Sequence, residues 1–277
     1  LGVKRIVLAR ELSFKEIEKI HENLPEDCDL EAFVHGSMCM AYSGRCLISN
    51  YMTGRDSNRG ACSQACRYKY YLMEEKRPGE YFQVIEDDKG TYIMNSKDLC
   101  MIEYIPELVK SGIYSFKIEG RMKSPYYVAA IVKAYREALD KYWDDPEGYE
   151  FDQKLMDNLL KVSHRRYHTG FYFGKSGEQV YESSSYIRDY DIVGVVRDYN
   201  EETKVATIEQ RNRLFEGDTV EVLTPVGDYY EIQMNDMKDE KDEKIDVANK
   251  AQMIFKVKID KPVKVNDMLI KCKEANS

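Results

Sequence analysis

The sequence predicts an α/β chain with an all-β tail: the second half of a TIM-type βα barrel, then a small antiparallel β-barrel. Three observations carry this. Strand-like and helix-like runs alternate from Arg5 to Trp143, which implies a parallel sheet. From Ile192 onward only strand-like runs remain. Three βα units make a poor core alone, whereas a complete barrel has eight strands and about 250 residues, so roughly five units are expected upstream.

The elements follow in order. Val3 to Leu8 reads as a buried strand. Ser13-Phe-Lys-Glu16 is a capping box opening a helix with Phe14, Ile17, Ile20 and Leu24 on one face. Leu30 to Met38 is a second strand, ending in His35-Gly36-Ser37. An irregular segment follows, rich in Gly, Ser, Asn and Arg. Tyr68 to Met73, Tyr81 to Ile85 and Thr91 to Met94 read as a β excursion, turned at Asp87 to Gly90. Ser96 is expected to cap a helix running to Gly112, with Leu99, Ile102, Ile105, Leu108 and Val109 as its stripe and Cys100 in its first turn. Tyr114 to Ile118 is the third strand. Ser124-Pro125 opens a third helix striped by Val128, Ile131, Val132, Tyr135, Leu139 and Tyr142. Phe151 to Val162 is a short helix. Strands are expected at Ile192 to Arg197, Val205 to Glu209, Thr219 to Leu223, Tyr229 to Met234, Ala251 to Val257 and Met268 to Lys271. The domains are therefore 1–180 and 190–277, with the boundary in the serine-rich stretch from Tyr181 to Asp189.

Composition excludes some functions. With 41 Lys and Arg against 49 Asp and Glu, the net charge of -8 argues against a chain coated in positive charge for nucleic acid, though not against a local basic patch. No apolar run is long enough to span a bilayer. No signal peptide opens the chain, so the seven cysteines suggest metal or redox chemistry in a reducing cytoplasm rather than disulfides.

Their distribution sharpens this. Cys39, Cys46, Cys62, Cys66 and Cys100 follow C-x6-C-x15-C-x3-C-x33-C, while Cys28 and Cys272 stand apart and read as structural. Zinc ribbons prefer two close pairs, and only Cys62 and Cys66 form one. Scattered thiolates fit an iron–sulfur cluster better, and Arg45, Arg59 and Arg67 favour the thiolate form. Free buried cysteine is the bland alternative.

Several pieces carry a resemblance. Glu31-Ala-Phe-Val-His-Gly-Ser-Met-Cys39 and Ser43-Gly-Arg-Cys46-Leu-Ile-Ser49 resemble the signature of the collagenase-like peptidases, family thirty-two of the unassigned peptidases. Asn58 to Arg67, Asn95 to Cys100, Phe116 to Lys123 and Thr169 to Gly174 resemble the same family. The resemblance implies a barrel followed by a translation-factor-like β-barrel. Some members are labelled peptidases; others resemble oxygen-independent hydroxylases carrying a 4Fe-4S cluster, with tRNA wobble uridine, ribosomal RNA cytidine or ubiquinone precursors as substrates. The tRNA branch, which depends on prephenate, is the nearest. The resemblance favours Cys39, Cys46, Cys62 and Cys100 as ligands, with Cys66 as the alternative.

Other candidates follow. Glu119 and Arg121 come directly after the third strand. Arg121 and Lys123 could hold the dicarboxylate prephenate, and Arg121 could use two parallel hydrogen bonds; a surface salt bridge between Glu119 and Arg121 competes with this. His35 reads equally as a rim catalyst or a satisfied structural histidine. Tyr127 and Arg67 are further substrate-binding candidates, although Tyr126 or Tyr127 is expected in the core. His164-Arg-Arg-Tyr-His168 suits RNA or is a solvated surface. Neither a His-Glu-x-x-His motif nor a Gly-x-Ser-x-Gly elbow occurs. A thiol peptidase using Cys39 and His35 is the runner-up to the hydroxylase, and a non-catalytic RNA-binding module is the third reading. RNA is the expected partner, with a second copy or a related subunit as a further one.

Overall fold

In this computed structural model the described residues are 2–38, 46, 48–67, 71–72, 75, 78–79, 82–83, 97–174 and 187–273, the side chains of 58, 67, 71, 72, 82 and 83 excepted. Cys39, Arg45, the turn at Asp87 to Gly90, the run at Thr91 to Met94, Ser96 and most of the expected domain boundary lie outside them.

In chain order the first elements are β1 (Arg5–Val7), α1 (Phe14–His21), β2 (Asp29–Ser37), α2 (Ile48–Thr53), β3 (Tyr71–Leu72), β4 (Phe82–Gln83), β5 (Asp98–Cys100), α3 (Ile105–Lys110), β6 (Ser115–Ile118), α4 (Pro125–Asp144), α5 (Gln153–Leu160) and β7 (Tyr167–His168). Then come β8 (Tyr190–Asn200), β9 (Val205–Gln210), β10 (Leu214–Phe215), β11 (Thr219–Leu223), β12 (Tyr230–Gln233), β13 (Asn235–Lys238), β14 (Val247–Ala248), β15 (Ile254–Lys258) and β16 (Met268–Cys272). The chain divides into two compact units. One comprises 1–122, 137–152 and 164–187; the other comprises 123–136, 153–163 and 188–277.

In the first unit, β2 is the central strand. It pairs in parallel with β1 and with β6, as strand–helix alternation predicts. Leu30, Ala32 and Val34 are at most 2% exposed and form the core face of β2, alternating with Glu31, Phe33 and His35 on the other face. The capping box of α1 forms, with the Ser13 N–H donating to the Glu16 carboxylate at 2.8 Å, and Ile17 is buried.

Three expectations are corrected here. The first strand is not buried: Val3, Ile6 and Val7 are 51%, 40% and 48% exposed, because among the described residues β1 has only β2 beside it. Residues 98–100 are a strand, not the start of a helix. They pair antiparallel with β2 beyond the end of β1, and a 3-10 turn at Ile102–Tyr104 leads into α3. The inner stripe of α4 is Tyr127, Ala130, Ile131, Ala134, Tyr135, Ala138 and Tyr142, while Val128 and Val132 are 38% and 48% exposed. Tyr126 and Tyr127 are both buried.

The second unit carries a curled antiparallel sheet. Among the described residues its order is β12-β11-β16-β8-β9-β15-β13, with β10 and β14 pairing separately. Its core is a cluster drawn from Val193 to Leu269, centred on Phe255, Ile208, Val222 and Leu269, each fully buried. The expected strands are present with ends shifted by at most three residues, β11 matching at both ends; β10, β13 and β14 were not anticipated. No helix of the described residues is long and apolar enough to cross a membrane.

Candidate functional site

The site begins with alternation along β2. Its polar face presents Glu31, Phe33, His35 and Ser37 in turn. The Glu31 carboxylate accepts from Lys117 Nζ at 2.6 Å and from Ser115 Oγ at 3.0 Å. The Lys117 hydrogen bond, more than any other contact, holds that carboxyl below the usual carboxylate range. The Arg10 guanidinium lies 3.6 Å from the centroid of the Phe33 ring.

At the far end of the strand the polar face becomes dry. His35 is 1% exposed and Ser37 is 7% exposed. Cys100 lies directly opposite His35 on β5, and Asp98 lies opposite Ser37. Opposed residues of an antiparallel pair share a face, with Cβ atoms about 4.5–5.5 Å apart. Cys100 therefore stands beside His35, although the sequence placed it on a helix. β7 continues the array, since Tyr167 pairs with Asp98. The Tyr167 ring meets His35 edge-on at 5.2 Å and stacks on His164 at 4.7 Å.

Asp98, fully buried, ties these strands together. It accepts the Arg165 N–H at 3.1 Å, and its own N–H donates to Arg166 O. His164 and Arg165 are 2% and 6% exposed. The stretch read as RNA-binding or solvated is thus largely interior, with Arg166 exposed. Sequence reasoning missed Asp98 and the inward turn of Arg165; an acid two residues before Cys100 was the available signal.

Glu119 and Arg121 join the same end of the sheet. The Glu119 N–H donates to His35 O at 2.9 Å. This close approach needs Gly36, whose φ is +117°, because a Cβ there would overlap the Glu119 backbone. Glu119 Oε1 accepts the Arg121 N–H at 3.2 Å, while Oε2 is buried with no hydrogen-bond partner among the described residues. The two side chains form no ion pair among the described residues. The Arg121 guanidinium instead reaches Gly60, with Nη1 3.4 Å from where a Cβ would sit.

Gly60 belongs to the cysteine-bearing loop. Ser49 Oγ accepts the Ser63 N–H at 2.9 Å, Ser57 Oγ donates to Cys46 O at 2.7 Å, and the Gln64 N–H donates to Cys62 Sγ at 3.3 Å. Cys46, Cys62, Cys66 and Cys100 form no disulfide among the described residues; the first three are half-buried. Cys39 lies outside the described residues, and among those described no three metal-ligating side chains converge. The donor chemistry nonetheless suits a soft metal centre: cysteine thiols outside any disulfide, Cys62 already accepting a backbone N–H.

Lys123 and Tyr127 belong to the other unit. Lys123 Nζ donates to Ser163 O at 3.1 Å and lies 5.0 Å from the centroid of the Tyr127 ring, which is buried. The Arg67 side chain lies outside the described residues.

Comparison with known proteins supplies the relatives. The model for Peptidase family U32 matches residues 1–182, and the model for the Peptidase family U32 C-terminal domain matches 188–269. The tRNA hydroxylation protein P1 of Bacillus subtilis is 40% identical over 274 residues, covering 98% of this chain and 64% of its own length. A collagenase of Porphyromonas gingivalis is 33% identical over 232 residues, covering 79% of this chain and 55% of its own length. The chain thus spans roughly three fifths of these relatives. A solved C-terminal domain of a U32 peptidase from Geobacillus thermoleovorans is 31% identical, covering 29% of this chain and 99% of that one, with a TM-score of 0.28.

Proposed function

The chain belongs to peptidase family U32, and on that premise we propose that it is part of an oxygen-independent RNA hydroxylation protein acting on the wobble uridine of tRNA. The observation that supports this best is the neighbourhood of Cys100. It is buried opposite His35, at the sheet end where Glu119 is held and Arg121 leans over the loop bearing Cys62. The similarity to a tRNA hydroxylation protein favours the same reading.

In this proposal Cys39, Cys46, Cys62 and Cys100 would hold a 4Fe-4S cluster, with Cys66 as the alternative ligand. Bound there, the cluster would supply electron-transfer chemistry that no side chain of the chain provides. The chain's own residues do the rest. Arg121, exposed, offers a planar fork to a carboxylate of prephenate. The buried Glu119 Oε2 is placed to accept a proton, and His35 lines the same wall. The parallel strands β1, β2 and β6 are, in this proposal, part of the second half of a TIM-type barrel. The polar face of β2 would then line its interior, with His35 and Ser37 at the catalytic rim.

The collagenase relative raises the peptidase reading. A thiol peptidase needs a Cys–His pair open to substrate. The pair expected for it is Cys39 and His35: Cys39 lies outside the described residues, and His35 is 1% exposed.

Nucleoside mass spectrometry of tRNA from a strain lacking the gene tests the function. Hydroxylated wobble uridine should vanish, return with the native full-length gene, and stay absent with Cys100→Ser. Undiminished hydroxyuridine in the deletion strain would overturn the proposal.

A further inference from the structure

We propose that the exposed end of the cysteine-bearing loop is a stacking platform for an unpaired RNA base, with Tyr51 as the ring and Arg55 and Arg59 as phosphate contacts. This rests on the RNA reading above and names the surface that would hold that substrate.

The platform is built from one short helix pinned at both ends. On α2, Ser49 is 2% exposed and bonded to Ser63, beside Cys62. Thr53 Oγ1 donates to Ser49 O at 2.7 Å, and Asn50 Nδ2 donates to Asp56 Oδ1 at 2.6 Å. Tyr51 lies two residues beyond Ser49, about 200° around the helix, so its ring points away from the buried side. It is 91% exposed, the most of any large apolar side chain among the described residues, with Met52 beside it at 50%. A single exposed ring needs no explanation by itself. Its surroundings give it one.

From Cys39 to Arg67 the sequence has four arginines, no lysine and a single acidic residue, Asp56, in a chain whose net charge is -8. Asp56 is held by Asn50, and Arg59 stands 3.8 Å from it with a side chain 85% exposed. Arg55 is exposed, and Arg121 reaches across to Gly60. An open ring on the same short segment as two exposed arginines, Tyr51 to Arg59, carries the side-chain types on which unpaired bases stack and with which backbone phosphates pair. A duplex hides its base faces and would gain little from Tyr51. A second copy meeting it through this same face would bring the same positive charge.

Fluorescence anisotropy with a labelled RNA hairpin carrying an unpaired loop, and with a blunt RNA duplex, tests this. Tyr51→Ala should weaken hairpin binding about 5- to 150-fold, as expected from base–aromatic stacking worth about 1–3 kcal/mol. Tyr51→Phe should keep native affinity, and duplex binding should be unmoved. Arg59→Ala should flatten the salt dependence of hairpin binding by about 0.7 in log–log slope. Thermal midpoint and iron content of Tyr51→Ala should match the native protein, since the ring lies outside the packed structure. Native hairpin affinity in Tyr51→Ala, or equal loss on hairpin and duplex, would overturn the platform while leaving the RNA reading intact. Lost self-association with unchanged RNA binding would assign the face to a second copy and overturn it as well. A native chain that binds no RNA would remove the underlying reading.

Discussion

At Gly36 the backbone φ is +117°, and a Cβ there would lie 2.8 Å from Glu119 Cβ and closer still to its carbonyl oxygen. Gly36→Ala should therefore destabilise by about 2 kcal/mol or more, through backbone strain and displacement of β6. Urea melts check this, and an unchanged midpoint would contradict it. At Arg121 the fork matters, so Arg121→Lys should impair hydroxylation nearly as much as Arg121→Ala; full activity of the lysine variant would remove Arg121 from the site. The cysteines separate by role. Cys46→Ser, Cys62→Ser and Cys100→Ser should each strip most of the iron, while Cys28→Ser and Cys272→Ser should leave it in place. Cys66→Ser decides whether Cys66 is a ligand. Glu119 and Arg121 were legible as candidates because they follow a strand, His35 because it sits near a strand end, and the cysteines because of their clustered spacing. The pairing of Cys100 with His35 was not. Leu99-Cys100 continues an apolar spacing that suits a helix as well as a strand, and the free edge of β2 settled the competition.

Among the elements, the antiparallel sheet has a core of its own. Every residue of its central cluster comes from Val193 to Leu269. A chain cut to residues 188–273 is expected to unfold cooperatively in denaturant, and a non-cooperative melt would contradict this. Within it Asp267 is 2% exposed and accepts the Lys264 N–H at 2.8 Å. Burial raises its carboxyl above the ordinary value. The folded sheet thus binds that proton more tightly than the unfolded chain, so acidification from neutral pH relieves a destabilising charge. Asp267→Asn keeps an acceptor and removes the charge, so it should hold or raise the thermal midpoint at neutral pH and abolish this group's gain on acidification. A marked fall in midpoint would contradict the sign. Strand alternation made these longer strands readable, whereas β10 and β14, two residues each, carry no period to read. In α4 the large residues Val128 and Val132 drew the stripe outward, while the buried Ala130, Ala134 and Ala138 are too small to announce an inner face.

For the whole molecule, two features stand out: an edge strand, β1, with a single sheet partner among the described residues, and a local charge reversal. β1 leaves Ile6 and Val7, which point to opposite faces, 40% and 48% exposed. Such an edge invites pairing with another strand, so the chain should associate with rising concentration and Ile6→Lys should suppress it. Sedimentation that stays monomeric at all concentrations would contradict this. That the chain is mixed α/β with an antiparallel all-β tail was legible because strand–helix alternation and the strand-only run are patterns of the whole chain. The antiparallel β5 was not, because direction in a sheet depends on partners remote in sequence. The central claim is that the thiols around His35 and Arg121 hold an iron–sulfur centre for RNA hydroxylation. The most direct measurement is iron and acid-labile sulfide in the full-length protein purified without oxygen. Roughly four of each per chain, lost in Cys100→Ser, is the expected result; values near zero in the native protein would contradict the claim.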